Sequence, residues 1–264
     1  MVLEKESFKG EAYQAQEETY FDDGREIDLL HFLYGHPDLD EIRGNPQRVL
    51  DAIDEYGKTE KYLMNIGEYK SKTIVDLIKK HKPNVMVELG GYVGYSAVAF
   101  GAALRDSGGK RYFSLELNPE FAAVISMVVD LAGLSDIVKV IVGASSESLL
   151  RLRREQKLQD IDILFLDHQK ASYITDLKLC EDLDFIRAGT ILAADNVVKP
   201  GNPPYLKYVR STVEEKRRQL DSEDEPFQQG NPNLIYDSQF VEGWEPSGVP
   251  DAVEITTCTG VQVS

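Results

Sequence analysis

Two apolar runs of this chain end in groups that can hold a cation. "ILFLDHQK", residues 163–170, closes on Asp167, His168 and Lys170, and "ILAADNV", residues 191–197, closes on Asp195 and Asn196. Two carboxylates and an amide oxygen make a hard, all-oxygen donor set, which suits Mg²⁺ and its habit of keeping water or substrate ligands. No Cys or paired His accompanies them, which disfavours soft metals. Lys170 would stand beside such an ion. A neighbouring divalent cation and desolvation both favour a neutral amine, so Lys170 is a candidate general base. The plainer reading of each strand-end Asp is a cap for the next helix or turn, and of Lys170 a solvated side chain. His168 reads as a structural or cofactor-packing imidazole.

The elements that must position these groups are legible as a change of rhythm. From Pro83 onward, short apolar runs ("VMVELG", "YFSLEL", "IVKVIVG", "IDILFLD", "GTILAAD") alternate with helix-length segments such as "YSAVAFGAALRDSG". Runs without polar alternation are buried on both faces, which predicts βα units and a parallel sheet. Ligands in such sheets bind beyond the carboxyl ends of the strands, where Asp167 falls. "NLIYDSQFV" and "DAVEITTC" read as two further strands around a turn-rich connector, "EGWEPSGVP", so seven strands are expected. Before residue 82 the spacing is helical: Val49, Leu50, Ile53 and Tyr56 share one face, as do Ile74, Leu77 and Ile78. The first 25 or so residues show no periodicity, as mobile termini do not, and the acidic "DSEDEP" near residue 221 reads as a solvated helix exit.

The first βα turn, "VELGGYVGYSAV", carries Gly90, Gly91 and Gly94, which let a backbone approach a ligand or simply form a tight turn. The second strand ends on Glu116, the place for an acid that accepts both hydroxyls of a ribose; the competing reading is a helix N-terminal charge before Pro119. With Glu88 and the glycine turn, Glu116 suggests an adenosine-bearing cofactor. Gly143, Ala144 and Ser145 in "VGASSESL" either frame an adenine, or Ser145 caps the next helix.

The net charge of −16 opposes a nucleic-acid partner, whose phosphates need clustered Lys and Arg. Cys180 and Cys258 lie far apart without metal-type spacing, as free buried thiols of a reducing compartment would. The polar, acidic N-terminal stretch has neither the apolar core of a signal peptide nor the length of a membrane span, so a cytoplasmic protein without a membrane partner is expected.

Taken together, "MNIGEYKSKTIVDLI", "VELGGYVGYSAV", "LELNPEFAAV", "VGASSESL", "LFLDHQK", "LAADNVVKPGNPPYL" and "DAVEITTCTG" resemble the catechol O-methyltransferase family, collinearly from about residue 45 to the end. The resemblance implies a Rossmann-like α/β fold, a seven-stranded methyltransferase sheet with helices on both faces, over residues 45–264; residues 1–44, outside the resemblance, are expected to form an N-terminal helical extension that is partly helical or mobile. It implies S-adenosylmethionine and Mg²⁺ as cofactors, a small-molecule catechol as substrate, and a monomer. By resemblance Asp167, Asp195 and Asn196 bind the metal and Lys170 takes the hydroxyl proton. Glu242 in "FVEGW" holds the other catechol hydroxyl. The cofactor pocket comprises Met64, Ile66, Gly90, Tyr92, Ser96, Glu116, Leu117, Gly143, Ala144, Ser145, His168 and, shared with the metal, Asp167. Where the family places tryptophans that wall the catechol ring, this chain has Tyr62 and Gln169. Pro200 is retained, with Lys199 before it. The substrate set is therefore Tyr62, Gln169, Lys170, Asn196, Lys199, Pro200 and Glu242, with a more polar rim that favours catechols bearing a carboxylate or other polar tail. Two other readings use the same residues: a cation-dependent O-methyltransferase of caffeoyl-type or flavonoid diols, and a non-catalytic ligand-binding relative.

Overall fold

Among the described residues four helices precede the first strand, and their starts are written in the chain. In the computed structural model, which describes residues 8–17, 22–220 and 229–263, these are α1 (Arg25–Tyr34), α2 (Leu39–Ile42), α3 (Pro46–Thr59) and α4 (Gly67–His81). Asn45 caps α3 by accepting the Arg48 amide at 3.3 Å, with Pro46 pre-set for the first turn. The apolar stripe Val49, Leu50, Ile53 and Tyr56 is buried as the periodicity requires.

Thereafter strands and helices alternate. They run β1 (Val85–Leu89), α5 (Tyr95–Asp106), β2 (Arg111–Glu116), α6 (Pro119–Leu131), β3 (Val138–Val142), α7 (Ser145–Arg154), β4 (Ile163–Leu166), α8 (Tyr173–Asp182), β5 (Ile191–Ala194), α9 (Pro203–Arg210), α10 (Val213–Leu220), β6 (Leu234–Trp244) and β7 (Pro250–Val261). The seven-stranded sheet has the order β3-β2-β1-β4-β5-β7-β6; β1 to β5 are parallel, and β7 is antiparallel to both β5 and β6. Every residue of β4 and β5 is buried. The two-residue period sends Ile163, Phe165, Ile191 and Ala193 into the layer of α1 and α3 to α6, and Leu164, Leu166, Leu192 and Ala194 into that of α7 to α9. Phe100 and Phe165 meet edge to face at 5.2 Å, a geometry worth about 1 kcal/mol beyond area burial.

The strand order reverses between β1 and β4, and the Asp167 amide donates to the Leu89 carbonyl at 2.9 Å across that point. In doubly wound sheets this is where a crevice opens for ligands.

The helical extension is not set apart from the domain. Tyr13, Leu29, Leu30 and Leu33 belong to the same core as Ile53, Ile74 and the sheet. Of residues 8–17, Tyr13 is buried in that core; residues 1–7 and 18–21, and the acidic "DSEDEP" segment, lie outside the described residues. The connector between the last two strands is shorter than the turn signals suggest. β6 continues through Trp244 and β7 begins at Pro250, because Val241 to Trp244 pair with Val253 to Pro250 and a proline is tolerated at the first residue of a strand. Both cysteines are free and buried, and among the described residues no helix is long and apolar enough to cross a membrane.

Candidate active site

The ends of β4 and β5 bring the expected cation-holding residues together. Leu166 and Ala194 are paired, and the Asp195 amide donates to the Leu166 carbonyl at 3.0 Å, so Asp167 and Asp195 emerge side by side. Asn196 follows in the left-handed region, φ 57°, which an Asn tolerates better than most side chains. Its Nδ2 donates to Glu245 Oε1 at 2.7 Å and Asp251 Oδ2 at 3.1 Å, and this fixes the amide so that Oδ1 faces Lys170. Lys170 Nζ donates to Asn196 Oδ1 at 2.8 Å, Tyr173 Oη at 2.7 Å and Asp167 Oδ1 at 3.2 Å. The Asn202 side chain pins the Lys170 carbonyl at 2.8 Å.

Behind this layer stands a lysine that pattern reading passed over. Lys70 is 1% exposed, and its Nζ lies 2.8 Å from Asp195, 2.6 Å from Glu245 and 2.8 Å from Asp251. A signal existed: Gly67, Lys70, Ser71, Ile74 and Ile78 form the buried stripe of α4, and a Lys on an apolar stripe must meet buried carboxylates.

Four carboxylates thus share two ammonium groups. Burial pushes Asp167 up to about 7, against the pull of Lys170 and with the repulsion of Asp195 adding to it. Burial likewise raises Glu245 well above the ordinary carboxylate range despite Lys70, and Asp195 reinforces the shift. Asp251 is lowered to about 2: burial opposes ionisation, but Lys70, a hydrogen bond with Glu245 and the Lys199 amide outweigh it. Negative charge in excess of its local counter-ions is what a divalent cation relieves, and Asp167, Asp195 and Asn196 supply hard oxygens for one. Among the described residues no cluster of three or more His, Cys, Asp and Glu side chains is arranged to hold a metal; this set has two carboxylates and an amide.

Glu242, expected to join the site, does not. It is exposed on β6 opposite Ala252, and the carboxylate that reaches the cluster is that of Glu245. Strand parity is the reason. Gly243 faces α4, where an added Cβ would lie 2.8 Å from Lys70 Cγ, so Glu242 points the other way and Glu245 shares the face of Gly243.

The glycine turn follows β1. Gly90 has φ 87° and no room for a Cβ, which would sit 2.5 Å from the Asp167 carbonyl oxygen; the glycine turn and the end of β4 are in backbone contact. Glu116 accepts the amides of Gly91 at 3.1 Å, Tyr92 at 3.0 Å and Asn118 at 2.9 Å, so it organises the turn as well as ending β2. Tyr92 donates its hydroxyl to Glu26 of α1 at 2.8 Å and meets Phe121 edge-on at 5.3 Å. Ser96 and Ile66 are buried, Met64 is half-buried and Leu117 is exposed. Glu88 is fully buried below the turn, takes the Ser114 hydroxyl at 2.6 Å, and is pushed up to about 7 by burial.

Gly143 and Ala144 lead into α7, where Ser145 does not cap. Its hydroxyl donates to Asp176 at 2.5 Å, and the same Asp176 oxygen lies 2.9 Å from Nε2 of His168, whose ring stacks on Tyr173 at 5.0 Å. Asp176 carried no motif signal, being one acid among many on a helix. On the rim, Gln169, Lys199 and Pro200 are exposed, the Lys199–Pro200 bond is cis, and Tyr62 is buried with its hydroxyl held protonated by burial and by Glu245.

Comparison with known proteins points to one family. The model of a family described as O-methyltransferase matches residues 46–219. The catechol O-methyltransferases of Mus musculus and Bos taurus are each 40% identical over 169 residues, 64% of this chain and 63% and 61% of theirs. The chain therefore matches just under two thirds of the length of these relatives. Among solved structures, the O-methyltransferase from Bacillus cereus in complex with SAH superposes with a TM-score of 0.59 at 18% identity, covering 87% of this chain and 99% of that one, a likeness of fold.

Proposed function

Because the chain belongs to the O-methyltransferase family, we propose that it is a catechol O-methyltransferase, moving the methyl group of S-adenosylmethionine to one hydroxyl of a Mg²⁺-chelated catechol. The observation that carries this reading is the convergence of Asp167, Asp195 and Asn196 with Lys170 at adjacent strand ends, in backbone contact with the glycine turn. The names of the mouse and bovine relatives point the same way.

In this reading the cofactor rests against the turn from Gly90 to Ser96. Glu116 receives its ribose, and Leu117, Gly143, Ala144, Ser145 and His168 border its adenine. Met64, Ile66, Tyr92 and Asp167 border the sulfonium end, where polarisable and aromatic groups suit a cation. Asp167, Asp195 and Asn196 hold Mg²⁺, which when bound lowers the pKa of a chelated hydroxyl and fixes its direction. Lys170 receives the hydroxyl proton while the oxygen bonds to the methyl carbon and the carbon–sulfur bond breaks, leaving the neutral thioether. Glu245, in place of Glu242, holds the second hydroxyl. Tyr62 walls the ring, and Gln169, Lys199 and Pro200 form a rim suited to polar-tailed catechols. A cytoplasmic monomer is the setting this reading assumes.

Two results test it. Transfer from S-adenosylmethionine is expected to catechols and not to the corresponding monophenols, with an acidic-tailed catechol showing the higher kcat/KM; equal turnover of diol and monophenol would refute chelation. Glu245→Gln should raise the catechol KM about tenfold, the upper worth of a single net hydrogen bond, while Glu242→Gln leaves it unchanged. The reverse pattern would restore Glu242 to the site.

A further inference from the structure

The residues before α1 do more than lead into it. Residues 8–17, outside the stretch matched by the family model, run across the loops that border the acceptor side of the site. The Tyr13 amide donates to the Pro246 carbonyl at 3.0 Å, and the Gln14 amide to the Gly57 carbonyl of α3 at 2.9 Å. Ser247 donates to Gln16 at 2.9 Å, and the Lys9 amide to the Tyr69 hydroxyl at 3.0 Å. The Phe8 ring packs 4.9 Å from Tyr69, which in turn meets Trp244 at 5.7 Å.

Tyr13 is the centre of this strap. Its ring is 7% exposed and lies over Gly57, where a Cβ would fall 2.4 Å from a ring carbon, so the absent side chain is the space the ring fills. It meets Tyr62 edge-on at 6.5 Å, donates its hydroxyl to Asp54, and receives Asn65 Nδ2 at 3.4 Å. Tyr62 lies on the irregular backbone between α3 and α4, and Glu245 is one residue past the end of β6. Tyr62 is braced from one side by Arg25, which donates to its carbonyl at 2.8 Å, and from the other by Tyr13. Pro246, next to Glu245, is wedged between the Tyr13 amide and Gly67, whose added Cβ would lie 2.6 Å from Pro246 Cγ.

We propose that Tyr13 is a positioning residue for the acceptor site, and that residues 8–17 form a fixed outer wall holding Tyr62 and the Glu245 loop in the spacing a catechol requires. The inference rests on the reading of the site given above, and it concerns the acceptor side, where Tyr13 meets the Tyr62 ring and its amide holds the Pro246 carbonyl beside Glu245. Small misplacements of loop groups that orient a substrate cost affinity for that substrate.

The test compares the full-length wild type with Tyr13→Ala, Tyr13→Phe and Gln16→Ala, measuring catechol KM and kcat together with the Kd of S-adenosylhomocysteine by calorimetry. Tyr13→Ala should raise the catechol KM about tenfold, with kcat and the S-adenosylhomocysteine Kd within about twofold. Tyr13→Phe, which keeps ring and amide, should change KM by less than about threefold, and Gln16→Ala should raise it about threefold. A folded Tyr13→Ala protein with wild-type KM would overturn the proposal, as would a parallel loss of cofactor-product binding, which marks general loosening. Should Tyr13→Ala not fold, a wild-type KM for Gln16→Ala would overturn it equally. A wild type that methylates no catechol would remove the reading of the site itself, a failure visible before any variant is compared.

Discussion

Lys170→Met is expected to lower kcat about a thousandfold, the middle of the range for losing a positioned general base, while leaving S-adenosylhomocysteine affinity unchanged. The geometry argues for a specific chemical role. Nζ lies within 3.2 Å of Asp167 and within 2.8 Å of Asn196, and Tyr173 holds it from behind at 2.7 Å, which in the proposed reading sets it beside the acceptor hydroxyl. Lys170→Arg separates two roles that Met cannot. Arginine keeps the positive charge and stays protonated, so it would serve as a counter-ion and fail as a base. A loss of activity in Arg as deep as in Met is the expected result. An Arg variant within tenfold of wild type would show that Lys170 supplies charge only.

Lys70→Met should cost stability more than any other single change near the site, about 3–5 kcal/mol, because it strands the carboxylates of Asp195, Glu245 and Asp251 in a buried space without their shared ammonium. Urea denaturation at neutral pH reads the loss. The pH dependence follows from proton uptake. In the wild type Lys70 helps hold Asp251 at about 2, a contribution to stability present at neutral pH and lost as pH falls through that range; without Lys70 burial raises Asp251, so the folded variant binds more protons and gains stability as pH falls. The gap to wild type therefore narrows toward acid pH. Wild-type stability at neutral pH would mean that the three acids have another counter-ion.

How much of this was legible before the fold was in hand depends on how local the signal was. Asp167, Asp195, Asn196 and Lys170 could be placed because fully apolar strands leave one end to chemistry, and the parallel order makes two such ends adjacent. The same logic placed Gly90 and Glu116. Glu242 was misplaced because the choice between Glu242 and Glu245 turns on strand parity, and "EGWEPSGVP" looks like a turn until the pairing of Val241 to Trp244 with β7 is seen. Lys70 needed a long-range partner set, three acids more than 100 residues away in sequence, to explain a charge on an apolar stripe. The strap had no period to read, because residues 8–17 take their order from the loops they cross and form no helix or strand.

Methyl transfer in the proposed reading depends on a divalent cation held at the ends of β4 and β5 and chelated by the acceptor. The most direct test of that dependence is methyl transfer from S-adenosylmethionine to catechol, measured as methylated product with Mg²⁺, with excess chelator, and with Mg²⁺ restored. The prediction is abundant product with Mg²⁺, a fall of at least about a hundredfold with chelator, and full recovery on readdition. Transfer that proceeds undiminished in the presence of chelator would contradict it and leave Lys170 to activate the hydroxyl without a metal.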